Sequence, residues 1–224
     1  MKIAVYTTYC GTADRATAQT RMVSQKYPHY FISNNQYNMN VFCKFTGWKP
    51  IHLDFEVTES FAASSMQAKY AKALPHRFPE LAEYDYLLYV DDKITFNVDR
   101  MEEWLEILNE KNSPLAARKH WHLPSNPSNV LHEFGESMYQ QRYVYYSRQC
   151  ANYIANRVAE GYSLFGEYAF MTNIILRNMR HPDIVAVNEM WYNHIEQSTI
   201  CCQVPFHFVA QKFNNFALLP LNID

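Results

Sequence analysis

Residues 84–90, YDYLLYV, form an aliphatic and aromatic run, broken only by Asp85, that stops at two carboxylates, Asp91 and Asp92. Such a run suits a strand covered on both faces, the situation of an inner strand in a largely parallel sheet. The acids then stand at the carboxyl end of the strand, where open α/β sheets receive their ligands. Adjacent aspartates are also ordinary turn residues. The context favours a site, because Ile94, Thr95 and Phe96 resume an apolar pattern directly after the acids.

The flanking sequence alternates in the same sense. Residues 2–8 (KIAVYTT) read as a strand, and 12–26 as a helix with Thr12 as its cap. Strands are expected over 29–34, 49–55 and 114–119. Helices are expected over 64–74, stopped near Pro75, and over 98–109, where apolar residues fall at 98, 101, 104, 105 and 108. That spacing is helical. NMNVFCKFTGW, from Asn38 to Trp48, fits either state. Alternation through the first 120 residues argues for an α/β fold with a mostly parallel central sheet flanked by helices. The second half is mainly helical over 131–160, with a strand at 169–177, a helix at 183–197, a late strand at 203–209 and a tail packed on the body. No repeat, low-complexity tract or linker interrupts 1–224, which therefore reads as one domain with halves at 1–120 and 121–224.

Composition removes several classes. The five glycines are Gly11, Gly47, Gly135, Gly161 and Gly166, too scattered for a dinucleotide-binding GxGxxG or a P-loop. Phosphates would have to be met by side chains, helix ends or a metal. Twenty basic against 22 acidic residues give a net charge of −2, which carries no bulk nucleic-acid signature. Five scattered cysteines without CxxC spacing read as free thiols of a reducing compartment. Without a signal-peptide pattern or a run of 18 apolar residues, a cytoplasmic protein with no membrane span is expected.

LLYVDDKITF resembles the hydrophobic strand and DxD motif of GT-A glycosyltransferases, which use nucleotide-sugar donors. The likeness extends to the glycosyltransferase-like family that includes plant mucilage-related and bacterial surface-glycan proteins. VYTTY near the start, KALPHRFPELAEYDYLLYVDDKI (72–94) and NIILRNMRHPDIVAVNEMWYNHIEQ (173–197) carry it, in order, from residue 3 to about 208. It implies a GT-A-like domain with a nucleotide-sugar-binding half and an acceptor-side half. It also implies transfer of a sugar to a hydroxyl on a glycan or a modified nucleobase, with Mn²⁺ or Mg²⁺ at the acidic site. The chain departs from the family where Lys93 stands at the third DxD position. It departs again where Cys202-Gln203 replaces an acid-Gln pair.

The resemblance also distributes roles. Asp91 and Asp92 become metal ligands and catalytic groups, with His207 as a third ligand. Thr7, Thr8 and Tyr9 end the first strand, where the base and ribose are held. Lys72, His76 and Lys93 become contacts to the donor diphosphate, and Arg177 either such a contact or a structural ion-pair residue. Lys69 shares a helix face with Lys72, and Asn34 and Asn35 end the second strand beside the same pocket. His120, His122 and Gln203 fall on the acceptor side, with Glu133 as a catalytic base or hydroxyl-binding group. Tyr143, Tyr145, Tyr146 and Tyr153 suit either sugar stacking or helix packing. Two other classes stay open at this stage. One is a metal-dependent hydrolase built on His120, His122 and Glu133. The other is a noncatalytic module that binds nucleotide sugars.

Overall fold

The structure is a computed structural model that describes residues 1–12, 26–94, 97–123, 127–213 and 215–220. In chain order the elements are β1 (Ile3–Thr8), β2 (His29–Ser33), α1 (Gln36–Thr46), β3 (Lys49–His52), α2 (Phe61–Ala73), β4 (Tyr86–Val90), α3 (Met101–Glu110) and β5 (Leu115–Lys119). There follow β6 (Ser128–Asn129), α4 (Val130–Ser137), α5 (Gln141–Val144), α6 (Ser147–Ala159), β7 (Phe165–Gly166), β8 (Phe170–Asn178), α7 (Ile184–Ser198), α8 (Gln203–Phe213) and β9 (Ala217–Leu219). The helix expected over 12–26 falls almost wholly outside the described residues.

Seven strands make one sheet in the order β3-β2-β1-β4-β8-β5-β9. β1 pairs in parallel with β2 and β4, β2 with β3, and β5 with β9, whereas β8 runs antiparallel between β4 and β5. The tail is thus part of the sheet, through β9. β6 and β7 form a separate antiparallel pair.

Strand alternation divides the core between the two faces. Ala4, Tyr6, Leu87, Tyr89 and Ile175 pack against α2, α7 and α8 through Ala71, Trp191 and Phe206. Ile3, Val5, Leu88, Val90 and Leu176 face the other way, onto Met39 and Phe42 of α1 and Trp104 and Leu108 of α3. A smaller cluster joins α4, α6 and α8 around Tyr153, Ile154, Val204 and Phe208. Every residue from Leu87 to Val90 is buried, as an inner strand requires.

Two segments take a form the sequence pattern left open or misassigned. The ambiguous 38–48 stretch is mostly helical. Asn35 caps α1 by accepting the Asn38 N–H at 3.1 Å. Gly47, at φ 74°, ends it in the left-handed conformation. The late strand expected over 203–209 is instead the helix α8. Its apolar run serves two cores: Val204 and Phe208 enter the small cluster, Phe206 and Val209 the main one. Pro205 lies in the first turn, where no intrahelical donor is needed. The 131–160 segment is three helices, α4, α5 and α6. No helix among the described residues is long and apolar enough to cross a membrane.

Candidate active site

A cleft of about 680 Å³ opens beyond the carboxyl ends of β1 and β4. Its walls come from Thr8 to Thr12 after β1, Asp91 to Lys93 after β4, the inner face of α2, Arg142 and Tyr143 of α5, Thr172 of β8, and Cys202 and Gln203 at the start of α8. Gly11 sits in this wall at φ +112°, where an added Cβ would meet Ser64 Cβ at 3.0 Å. Asn34 and Asn35 hold the turn from behind. Asn34 Oδ1 accepts the Gly11 N–H at 3.3 Å, and Asn35 Nδ2 donates to the Gly11 carbonyl at 3.0 Å.

Asp91 is the electrostatic centre. Its Oδ1 accepts from Lys72 Nζ at 3.1 Å and from the Tyr89 hydroxyl at 2.7 Å. Burial by itself would raise the carboxyl pKa. Lys72, Lys69 and the two hydrogen bonds reverse that and hold it below the usual carboxylate range. Lys72 is 1% exposed, lies 4.7 Å from the Tyr89 ring centre, and reaches Thr172 Oγ1 at 3.5 Å.

Lys69, one turn earlier on α2, lines the same wall. Burial opposes its charge, but Cys202 and Asp91 raise its pKa above the normal lysine value. Cys202 answers in kind. Burial would push the thiol up, yet Lys69, Lys72 and the contact with Thr172 Oγ1 at 3.2 Å bring it below its ordinary value. Lys93 projects into solvent at the rim, and Arg142 stacks on Tyr143 at 4.8 Å.

Several residues expected to touch a ligand lie elsewhere. Thr8 and Tyr9 line the cleft, but alternation turns Thr7 to the opposite face, where it is fully buried. His76 lies outside the cleft wall: α2 ends before Pro75, and His76 and Arg77 both bind Glu189 of α7, at 2.8 and 2.6 Å. Arg177 is 0% exposed, and its guanidinium donates to Asn188 Oδ1 at 3.0 Å, the Tyr6 hydroxyl at 2.8 Å and the Lys72 carbonyl at 2.9 Å. It therefore sits beneath Lys72 rather than against a ligand. His207, on a helix instead of a strand, contacts the Ser163 carbonyl and Gln211, so it does not join Asp91 and Asp92.

On the second half, Gln203 lines the cleft and Glu133 stands behind it. Gln203 Nε2 donates to Glu133 Oε1 at 2.7 Å. Burial raises the Glu133 pKa to about 7, with Glu136 adding and the Gln203 bond opposing. His120 Nε2 is 3.6 Å from Glu133 Oε2, and its Nδ1 accepts the Leu123 N–H. That bond leaves the ring proton on Nε2, facing the carboxylate. Burial and His122 lower the His120 pKa to about 4. His122 pairs with Glu136 at 3.1 Å. Among the described residues no group of three His, Cys, Asp or Glu side chains is placed to hold a metal. The arrangement demanded by a three-ligand zinc hydrolase is therefore not assembled there.

The sequence reading did not single out Cys202 as a cleft residue or Arg142 at all. Cys202 was marked only as a departure at an expected acid position. Arg142 lies in a polar, aromatic segment with no motif, so no local signal pointed to it.

Comparison with solved structures finds this architecture in proteins of the GT-A fold. The mouse xyloside xylosyltransferase 1 apo structure aligns with 99% of this chain and 86% of its own, at TM-score 0.55 and 9% identity. The apo structure of WbbM, a bifunctional glycosyltransferase, aligns with 98% of this chain at TM-score 0.53 and 13% identity, and this chain spans 39% of that protein. No protein-family profile matches the sequence, and no curated protein matches it either. At these identities the likeness establishes the GT-A fold.

Proposed function

We propose that this chain is a glycosyltransferase that moves a sugar from a nucleoside-diphosphate sugar to a hydroxyl acceptor. The observation that carries the reading is the Asp91–Lys72–Lys69 cluster in a cleft at the carboxyl ends of a GT-A sheet. A diphosphate is the ligand whose charge such a cleft suits, and departure of a nucleoside diphosphate is the step that needs charge stabilised.

Thr8, Tyr9 and the Gly11 turn form the wall for the nucleoside. Lys69, with Lys93 and Arg142 at the rim, supplies positive charge to the phosphates. Lys72 fixes the orientation of Asp91, and Tyr89 fixes it from the other side. The hydrogen bonds to the Asp91 side chain fall on Oδ1, leaving Oδ2, with Asp92 beside it in the wall. Two carboxylates with phosphate oxygens are a sufficient donor set for Mg²⁺ or Mn²⁺. When bound, such an ion neutralises charge developing on the departing diphosphate. Gln203 is a polar side chain on the acceptor side of the cleft, oriented by Glu133. His120 and His122 support Glu133 and α4 from behind.

Titration of the protein with a panel of nucleoside-diphosphate sugars, with and without Mn²⁺, tests this reading. A metal-dependent thermal shift for one donor, lost in Asp92→Ala, is the expected result. Absence of a shift with every donor would remove the transferase reading.

A further inference from the structure

A second groove, of about 660 Å³, runs along the outer face of α6. It is lined by Tyr145, Tyr146, Gln149, Asn152, Asn156 and Gln197, with Tyr153 as its floor. Gln149, Asn152 and Asn156 recur at helical spacing and form a stripe of amides on one face. Tyr145 is 83% exposed and meets Tyr146 edge-on, with ring centres 4.9 Å apart at 78°. The floor is rigid, because the buried Tyr153 hydroxyl is hydrogen-bonded to His194 Nδ1 at 2.7 Å. The far wall is tied to the helix by Gln149 Nε2, which donates to the Gln197 carbonyl at 3.4 Å.

The lining of this groove lies close to that of the donor cleft along the chain at two places. Tyr143 lines the cleft, and Tyr145 and Tyr146 line the groove. Gln197 lines the groove, and Ile200 lines the cleft.

We infer that the groove binds a neutral oligosaccharide, the acceptor chain whose end reaches the cleft. The inference rests on the transferase reading for its role but on the groove alone for its ligand. Amides donate and accept at once, which matches hydroxyl groups that do the same. Phenol rings offer flat apolar faces for the C–H faces of sugar rings, with a polar edge for hydroxyls. A phosphate-rich ligand would need cations, and Arg148 is the one charged side chain in the lining among the described residues. A lipid or apolar peptide would need aliphatic walls, and the lining has none.

The test is saturation-transfer NMR on the intact protein with neutral tetrasaccharides of glucose, xylose, mannose and N-acetylglucosamine, each without donor. Saturation of at least one is expected, weakened tenfold or more in Asn152→Ala and in Tyr145→Ala. Nucleotide binding in the cleft and the melting temperature should stay at wild-type values in both. No saturation with any of the four, or binding indifferent to both substitutions, overturns the inference. So does a dimer by light scattering that Asn152→Ala dissociates, since the face would then be covered by a second copy. If oligosaccharide binds the groove as expected but no nucleotide sugar binds the cleft, the groove stands and the transferase reading falls.

Discussion

Lys72 Nζ stands 3.1 Å from Asp91 Oδ1, and the lysine side chain is 2% exposed while the aspartate is 23% exposed. The cation is sealed in protein and the anion opens to the cleft, so the lysine acts on any ligand chiefly through the aspartate. Lys72 also offers its carbonyl to both Tyr6 and Arg177, which couples the site to the centre of the sheet.

Breaking this pair from either side leaves an uncompensated charge. Removing one partner of a buried pair costs about 3–5 kcal/mol, and the partial exposure of Asp91 puts Lys72→Met toward the lower end. We expect a clear loss of melting temperature in Lys72→Met and nucleotide affinity at least about tenfold weaker, roughly 1.4 kcal/mol. Asp91→Asn retains the shape but strands the sealed Lys72 charge, so it should lose at least as much stability while also losing metal-dependent nucleotide binding. Calorimetric titration beside thermal unfolding separates the two effects, and unchanged affinity in both variants would exclude the assigned role.

Arg177→Leu removes three hydrogen bonds from a fully buried guanidinium, strands Asn188 Oδ1 and leaves the Lys72 carbonyl with Tyr6 alone. Destabilisation of about 3 kcal/mol or more is expected, read from urea unfolding. A direct phosphate contact would instead weaken nucleotide binding with stability intact, and that outcome would return Arg177 to the ligand.

Glu133 titrates in the folded protein near pH 7, against an ordinary value of 4.5. Between those values the folded state holds a proton that the unfolded chain releases. The contribution to stability is full below pH 4.5 and is lost as pH rises through 7, worth at most about 3 kcal/mol. Glu133→Gln should therefore gain stability over wild type at pH 8 and show little gain at pH 5. Urea unfolding at the two pH values checks the sign, and an equal difference at both would show that the proton does not matter.

Cys202 is a thiol of the cleft wall with a lowered pKa, set between Lys69 and Lys72. Alkylation by iodoacetamide should modify it ahead of Cys201, whose pKa burial raises, and a bound nucleoside diphosphate should slow the reaction. Peptide mass mapping with and without nucleotide gives the answer. Preferential labelling of Cys201, or labelling indifferent to nucleotide, would contradict the placement of the thiol.

The dry YLLYV run, the acids behind it and the alternation of strands and helices were legible because each is local. Burial on both faces requires continuous apolar residues, and helix 101–110 announces itself by its period. Residues 203–209 were misread because a short apolar run lacks a distinguishing period when both sides of the element are covered. The basic group of α2 and its sequel also looked single in sequence. The chain turns at Pro75, so Lys69 and Lys72 face the cleft while His76 and Arg77 face Glu189.

By itself, the sequence determined the layered α/β plan and the position of an acidic strand end, because hydrophobic patterning and strand termini act over a few residues. Only the tertiary structure decided which charges meet. Lys72 and Asp91 are 19 residues apart, and Arg177 and Tyr6 are 171 apart. No local pattern encodes such contacts. They follow from the order β1-β4-β8 in the sheet, which sets Tyr6, Tyr89 and Arg177 around Lys72. The roles of Arg177 as a buried support and of Asp91 as the exposed anion come from that order.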